Sequence, residues 1–80
     1  MSVTVLLFAS YADALGGSSL VLDLPAGATV ADVLAEVGRR PGAQQLPPRP
    51  LVAVNQRYAS LASAVEPGDE VALIPPVAGG

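Results

Sequence analysis

The side chains of this chain supply few of the groups that enzymes use for catalysis. Its 80 residues include no cysteine and no histidine, which excludes a disulfide scaffold, a zinc–thiolate site and a cysteine nucleophile and removes the commonest general base. The serines consequently have no histidine to activate them. One cluster of carboxylates, Glu66, Asp69 and Glu70, surrounds a turn. We interpret this cluster as a solvated loop and expect no metal site.

The last residues of the sequence have the composition of a segment that can enter a narrow channel. The Pro75-Pro76 pair lacks backbone N–H donors and fixes φ, so it stops a strand and favours an extended exit. Val77 and Ala78 lead into Gly79 and Gly80, two residues without Cβ that accept the backbone angles a channel imposes. A terminal carboxylate at Gly80 can be activated as an acyl-adenylate and then attacked by a nucleophile. The plainer alternative is a frayed terminus that ends in glycines.

The segments that must position this tail alternate apolar residues in the manner of β-strands. Strands are predicted over residues 3–8, 19–24, 51–54 and 70–74, with a very short strand opening at Tyr58. The first two strands are expected to pair antiparallel, although residues 10–15 between them are long enough for a helical turn. The segment 41–50 holds four prolines and is predicted to be a surface loop, neither a helix nor a central strand.

One amphipathic helix is predicted to cross the sheet. Thr29 is its expected N-cap, and Asp32 follows three residues later in a capping-box-like arrangement. A single apolar stripe then recurs with helical spacing at Val30, Val33, Leu34 and Val37. Gly38, or the Pro41-Gly42 pair, is expected to end the helix.

The predicted fold class is α+β, with a mixed sheet of four to five strands crossed by one main helix. Residues 1–76 form one domain, and residues 77–80 form a flexible tail. Because one helix covers only one face of a sheet, the other face carries an apolar patch that suggests a docking partner. Its members are Leu6, Phe8, Ala72 and Ile74. The alternative is that these side chains pack under the loop 41–50.

Charge and hydropathy limit the partners and the compartment. The formal net charge is −3 at pH 7. Binding to the phosphate backbone of a nucleic acid needs clustered Lys and Arg, so no nucleic-acid partner is expected. The longest apolar stretch, residues 3–9, is far shorter than the ~18 residues of a membrane span, so no membrane is expected. The first residues lack the positive charge of a secretory signal, and we therefore expect a cytoplasmic protein.

Two stretches resemble the small subunit of molybdopterin synthase, the MoaD family of ubiquitin-like sulfur carriers. The first is VAVNQRY and the second is EPGDEVALIPPVAGG. The opening VLLFAS is also similar to the family's first strand. Ala78 stands where a small hydroxyl residue is usual, and Ala12-Asp13 replaces a usual Arg-Glu pair. The resemblance covers essentially the whole chain, and its C-terminal motif is the most specific part.

This resemblance implies a β-grasp fold and a chain that is not catalytic alone. A ubiquitin-activating-type adenylyltransferase similar to MoeB would adenylate Gly80 with ATP and Mg²⁺, so the chain itself would bind no cofactor. A sulfur donor protein would then convert Gly80, beside Gly79, to a thiocarboxylate. The tail would enter a large synthase subunit similar to MoaE and give its sulfur to a cyclic pyranopterin precursor of molybdopterin. The implied partner-binding residues are Phe8, Tyr58, Ile74, Pro75, Pro76, Val77 and Ala78.

Three other functions remain open at this point. The chain could carry sulfur in thiamin, cysteine or tRNA-thiolation pathways, which use similar Gly-Gly proteins. It could be a ubiquitin-like protein that is conjugated to lysines through Gly80, because an amine attacks the same activated carboxylate. It could also be an interaction module with an inert tail.

Overall fold

The computed structural model describes residues 1–76 of the chain, so Val77, Ala78, Gly79 and Gly80 lie outside the described residues. The strands are β1 (Ser2–Leu7), β2 (Ser19–Asp23), β3 (Leu51–Val54), β4 (Arg57–Tyr58) and β5 (Glu70–Ile74). The α-helices are α1 (Ser10–Leu15) and α2 (Val30–Val37), and Ala43–Gln45 forms a 3₁₀-helix. The predicted order of elements is therefore confirmed, and β1 and β2 each end one residue earlier than expected.

The strands form one mixed sheet in the order β2-β1-β5-β3-β4. The final strand lies in the middle, parallel to β1 and antiparallel to β3. The predicted antiparallel pairing of β1 with β2 is confirmed. Because β5 is central, the chain leaves the sheet beside the end of β1, where the Phe8 N–H donates to the Leu73 carbonyl at 3.4 Å.

Helix α2 packs its apolar stripe on one face of the sheet. Val30, Val33 and Val37 are buried, as the helical spacing predicts. The Asp32 carboxylate accepts the Thr29 N–H at 2.8 Å, so the predicted capping-box arrangement begins the helix. Alternate strand residues complete the core from the sheet side, namely Val3, Val5, Leu7, Leu22, Val52, Val71 and Leu73.

The segment 41–50 is more ordered than the sequence predicts. Besides its 3₁₀ turn, its Gly42 has φ 90° and lies so close to the Ala14 carbonyl that a Cβ would collide with it. The Tyr11 hydroxyl donates to the Pro47 carbonyl at 2.8 Å. Proline excludes regular structure only locally, and these contacts with α1 supply the order that the composition does not reveal. The predicted surface loop therefore contains a three-residue 3₁₀-helix and contacts with α1 that its composition does not indicate.

Within residues 1–76, no helix has the length and apolarity that crossing a membrane requires.

Candidate functional site

The face of the sheet opposite α2 carries a continuous row of side chains from four strands. Leu6 of β1 pairs with Ala72 of β5, and Ala72 pairs with Ala53 of β3. Ala53 in turn pairs with Tyr58 of β4. Residues that pair across strands point to the same side of a sheet, so these four side chains share one face.

Small residues in the middle of this row create a groove of about 360 Å³. Ala53 and Ala72 form its floor, and the larger Phe8 and Tyr58, which are 47% and 77% exposed, rise beside it. We call it the open-face groove. It is lined by Leu6, Phe8, Ala53, Gln56, Tyr58, Glu70, Ala72 and Ile74.

The open-face groove contains the three side chains that the sequence predicts for partner binding within the sheet. Phe8 directly follows β1, Tyr58 belongs to β4 and Ile74 ends β5, and the three side chains line one concavity. None of the described lining residues comes from the segment 41–50, which packs against α1 instead. The alternative that this segment covers the apolar patch is therefore wrong. The role of the three side chains in docking stays a prediction.

Two prolines lead from the open-face groove toward the predicted tail. Pro75 is half-buried and Pro76 is exposed, and they follow directly after Ile74. The remaining predicted site residues, Val77, Ala78, Gly79 and Gly80, lie outside the described residues. The structure thus places Pro75 and Pro76, which precede the predicted tail, directly after the lining residue Ile74.

A side-chain clasp joins the β3–β4 turn to the start of β5. Asn55 and Gln56 have φ values of 50° and 71°, the left-handed pair that a tight type I′ hairpin needs. The Asn55 side chain donates to the Asp69 carboxylate at 2.9 Å and accepts the Glu70 N–H at 3.0 Å. This clasp was not predicted from the sequence. The sequence signal that could have indicated it is the asparagine directly after the third strand, because asparagine tolerates the left-handed backbone of a tight turn.

The carboxylate cluster at residues 66–70 is a structural turn and shows no metal-site geometry. The Asp69 carboxylate accepts the Glu66 N–H at 2.8 Å in addition to the Asn55 amide. Glu66 and Glu70 are exposed and Asp69 is half-buried. Among residues 1–76, no group of three His, Cys, Asp or Glu side chains could hold a metal ion.

Comparisons with known proteins agree with these features. The ThiS family matches residues 5–80. A molybdopterin synthase sulfur carrier subunit of Arabidopsis thaliana is 33% identical over 81 residues, covering 100% of this chain and 84% of the relative. A protein of the same name from Haemophilus influenzae is 36% identical over 80 residues, covering 98% of this chain and 99% of the relative. The crystal structure of small archaeal modifier protein 1 from Haloferax volcanii has a TM-score of 0.84 and 36% identity, and covers 100% of both chains.

These similarities bear out two predictions made from the sequence. The resemblance to molybdopterin synthase small subunits is confirmed by relatives that carry that name. The ubiquitin-like β-grasp fold is confirmed by the solved structures together with the five-stranded sheet and its main helix.

Proposed function

This chain belongs to the ThiS family, and from that premise we propose that it is the sulfur carrier subunit of a molybdopterin synthase. The observation that carries the proposal is the 36% identity with the Haemophilus influenzae subunit, which extends over nearly the full length of both proteins. The family match also runs to residue 80 and so includes the Gly-Gly end.

In this function the reactive group is the carboxylate of Gly80. An adenylyltransferase would join that carboxylate to AMP with ATP and Mg²⁺, releasing pyrophosphate. Sulfide-level sulfur from a donor protein would attack the acyl-adenylate, displace AMP and leave a thiocarboxylate. On the large synthase subunit the thiocarboxylate sulfur would bond to a pyranopterin precursor, and water would then cleave the acyl–sulfur bond and return the carboxylate. The catalytic side chains would belong to the partners, which suits a chain without cysteine or histidine.

The described residues would hold the partner while the tail reaches its active site. A peptide extends at most ~3.3–3.6 Å per residue, so the six residues after Ile74 can carry Gly80 about 20 Å beyond the groove. A partner seated in the open-face groove would thereby raise the effective concentration of the tail at its own active site. The groove's apolar floor and aromatic walls are the kind of surface that docks a protein partner.

The first experiment is to measure the intact mass of the protein after incubation with the adenylyltransferase, ATP, Mg²⁺ and a sulfur donor. We expect the mass gain of one oxygen replaced by sulfur. A variant lacking Gly80 is the control and should keep its mass unchanged. If the full chain also keeps its mass while the adenylyltransferase is active on a known carrier, the proposal fails.

A second test separates the chemistry of the tail from the stability of the domain. Gly79→Val adds a branched side chain beside the activated carboxylate, and we expect it to abolish sulfur transfer without changing the unfolding midpoint. Sulfur transfer can be followed with molybdopterin formation by the reconstituted synthase. Wild-type transfer by Gly79→Val would contradict the proposed threading of the tail.

A second candidate function is conjugation to proteins. It is favoured by the similarity to the Haloferax volcanii protein, which is named a modifier. In that function a lysine amine would attack the activated carboxylate of Gly80 and form an isopeptide bond. Immunoblots of host extracts that express the tagged chain would show adducts of higher mass, and these adducts would disappear when Gly80 is deleted.

A further inference from the structure

The open-face groove has chemically different ends. Phe8 and Ile74 form an apolar end, from which the chain continues into Pro75-Pro76, whereas Gln56 and Glu70 form a polar end. Glu70 and Ile74 are four residues apart on β5, which separates the two ends by about 13 Å along the strand. A surface that fills the groove must therefore match two different environments.

Glu70 is the charged side chain among the described lining residues. Its backbone is held on both sides by Asn55, which donates its N–H to the Glu70 carbonyl at 2.8 Å and accepts the Glu70 N–H at 3.0 Å. The carboxylate thus projects from a fixed backbone. Within residues 1–76, the ion pairs are Met1–Asp23 and Arg39–Glu36, and neither involves Glu70.

No described strand residue supplies a positive charge to this face. Arg57 is level with Val54 in the sheet and therefore points to the side opposite Tyr58. The other three arginines, Arg39, Arg40 and Arg49, lie outside the strands. A partner that covers the groove would bury the Glu70 carboxylate, and a buried carboxylate without a cation or hydrogen-bond donor is costly.

We propose that the large-subunit surface that fills the open-face groove presents a basic side chain to Glu70 and an apolar side chain to Phe8 and Ile74. This inference rests on the proposed function, because it describes the chemistry of that partner. Gln56 lines the same groove, and its amide oxygen would supply a further acceptor for a guanidinium or ammonium group. The two unlike ends allow one orientation of the partner, and that orientation puts its apolar contact at the end of the groove where the chain continues into Pro75-Pro76.

The test measures binding of the full chain to the large subunit of the same organism by titration calorimetry at low and high salt. Glu70→Gln keeps the shape of the side chain and removes its charge, and we expect the dissociation constant to rise about tenfold at low salt. Glu70→Lys should weaken binding further. The difference in affinity between the wild type and the Glu70 variants should shrink as salt rises, because salt screens the charge contact that only the wild type makes.

Two variants and one measurement serve as controls. Glu66→Gln removes an exposed carboxylate of the neighbouring turn, outside the groove, and should bind as the wild type does. Ala72→Leu fills the groove floor and should abolish binding. That loss would show that the partner sits in the groove. Sedimentation of the free chain shows whether a second copy occupies the groove instead.

The outcomes distinguish this inference from the proposed function. Loss of binding by Ala72→Leu together with wild-type affinity of both Glu70 variants overturns the basic partner and leaves the carrier function standing. If Ala72→Leu binds the large subunit with wild-type affinity, the large subunit does not occupy the groove. The same conclusion follows if sedimentation shows that the free chain is a dimer and that Ala72→Leu makes it a monomer. Absence of any binding by the wild-type chain removes the proposed function and this inference together.

Discussion

Tyr11 is the buried polar side chain that holds the proline-rich segment in place. It is 1% exposed, and its hydroxyl donates to the Pro47 carbonyl. Burial in an apolar environment disfavours the phenolate, so burial raises the pKa of Tyr11 above its ordinary value of 10.0. The neutral phenol is therefore the form that the folded protein stabilises.

This shift predicts a loss of stability in alkali. Because the pKa of Tyr11 is higher in the folded state, the contribution is fully present below pH 10.0 and is lost as the pH rises through the folded-state pKa. Tyr11→Phe should cost about 1 kcal/mol at neutral pH, from the lost hydrogen bond, and should flatten the alkaline decline. Urea unfolding across the alkaline range measures both effects. Tyr58→Phe changes an exposed tyrosine and is the control, so it should lose stability in alkali as the wild type does. If Tyr11→Phe loses stability equally steeply, Tyr11 is not the cause of the alkaline loss.

The capping box shows how a local signal becomes a helix boundary. The Asp32 carboxylate accepts the Thr29 N–H, a backbone donor that has no partner within the helix. We expect Asp32→Ala to lower the free energy of unfolding by about 1 kcal/mol. Glu36→Ala, which breaks only an exposed pair with Arg39, should change it by at most about 0.5 kcal/mol. Urea denaturation compares the two variants, and equal losses would count against the cap.

The Asn55 clasp makes a prediction that depends on backbone conformation. Asn55 has φ 50°, which glycine adopts freely and alanine does not. Asn55→Gly should lose only the side-chain hydrogen bonds, about 1–2 kcal/mol. Asn55→Ala should lose about 1 kcal/mol more because of the backbone strain. If chemical denaturation shows alanine to be as stable as glycine, the strain argument is wrong.

The order of strands in the sheet decides which exposed apolar residues meet in the proposed docking surface. Phe8→Glu and Ile74→Glu each place a charge in the open-face groove, and we expect either to weaken binding to the large subunit more than tenfold, a loss above about 1.4 kcal/mol. Val21→Glu is the matched control, since Val21 is 62% exposed on the same face and does not line the groove. Calorimetric titration measures all three. Equal affinities across the set would remove the groove as the docking surface.

Local patterns predicted most of the elements and some of the site. Alternation at Leu6 and Phe8 correctly placed them on one face, and the Thr29 signal correctly began the main helix. The order of the segment 41–50 was missed because Gly42 and Pro47 are fixed by contacts with α1, more than 25 residues earlier in the chain. The clasp was missed for the same reason, since Asn55 and Asp69 meet only when β3 lies beside β5.

The sequence by itself determined the strand and helix segments, the two faces of each strand and the composition of the Gly-Gly end, because these depend on residues close together in the chain. The tertiary structure alone decided that β5 lies between β1 and β3. That order puts Ala72 beside Ala53 and so creates the groove floor, with Tyr58 and Phe8 at its sides. Side-chain alternation has a period of two whatever the neighbouring strand is, so it cannot specify which strands become neighbours.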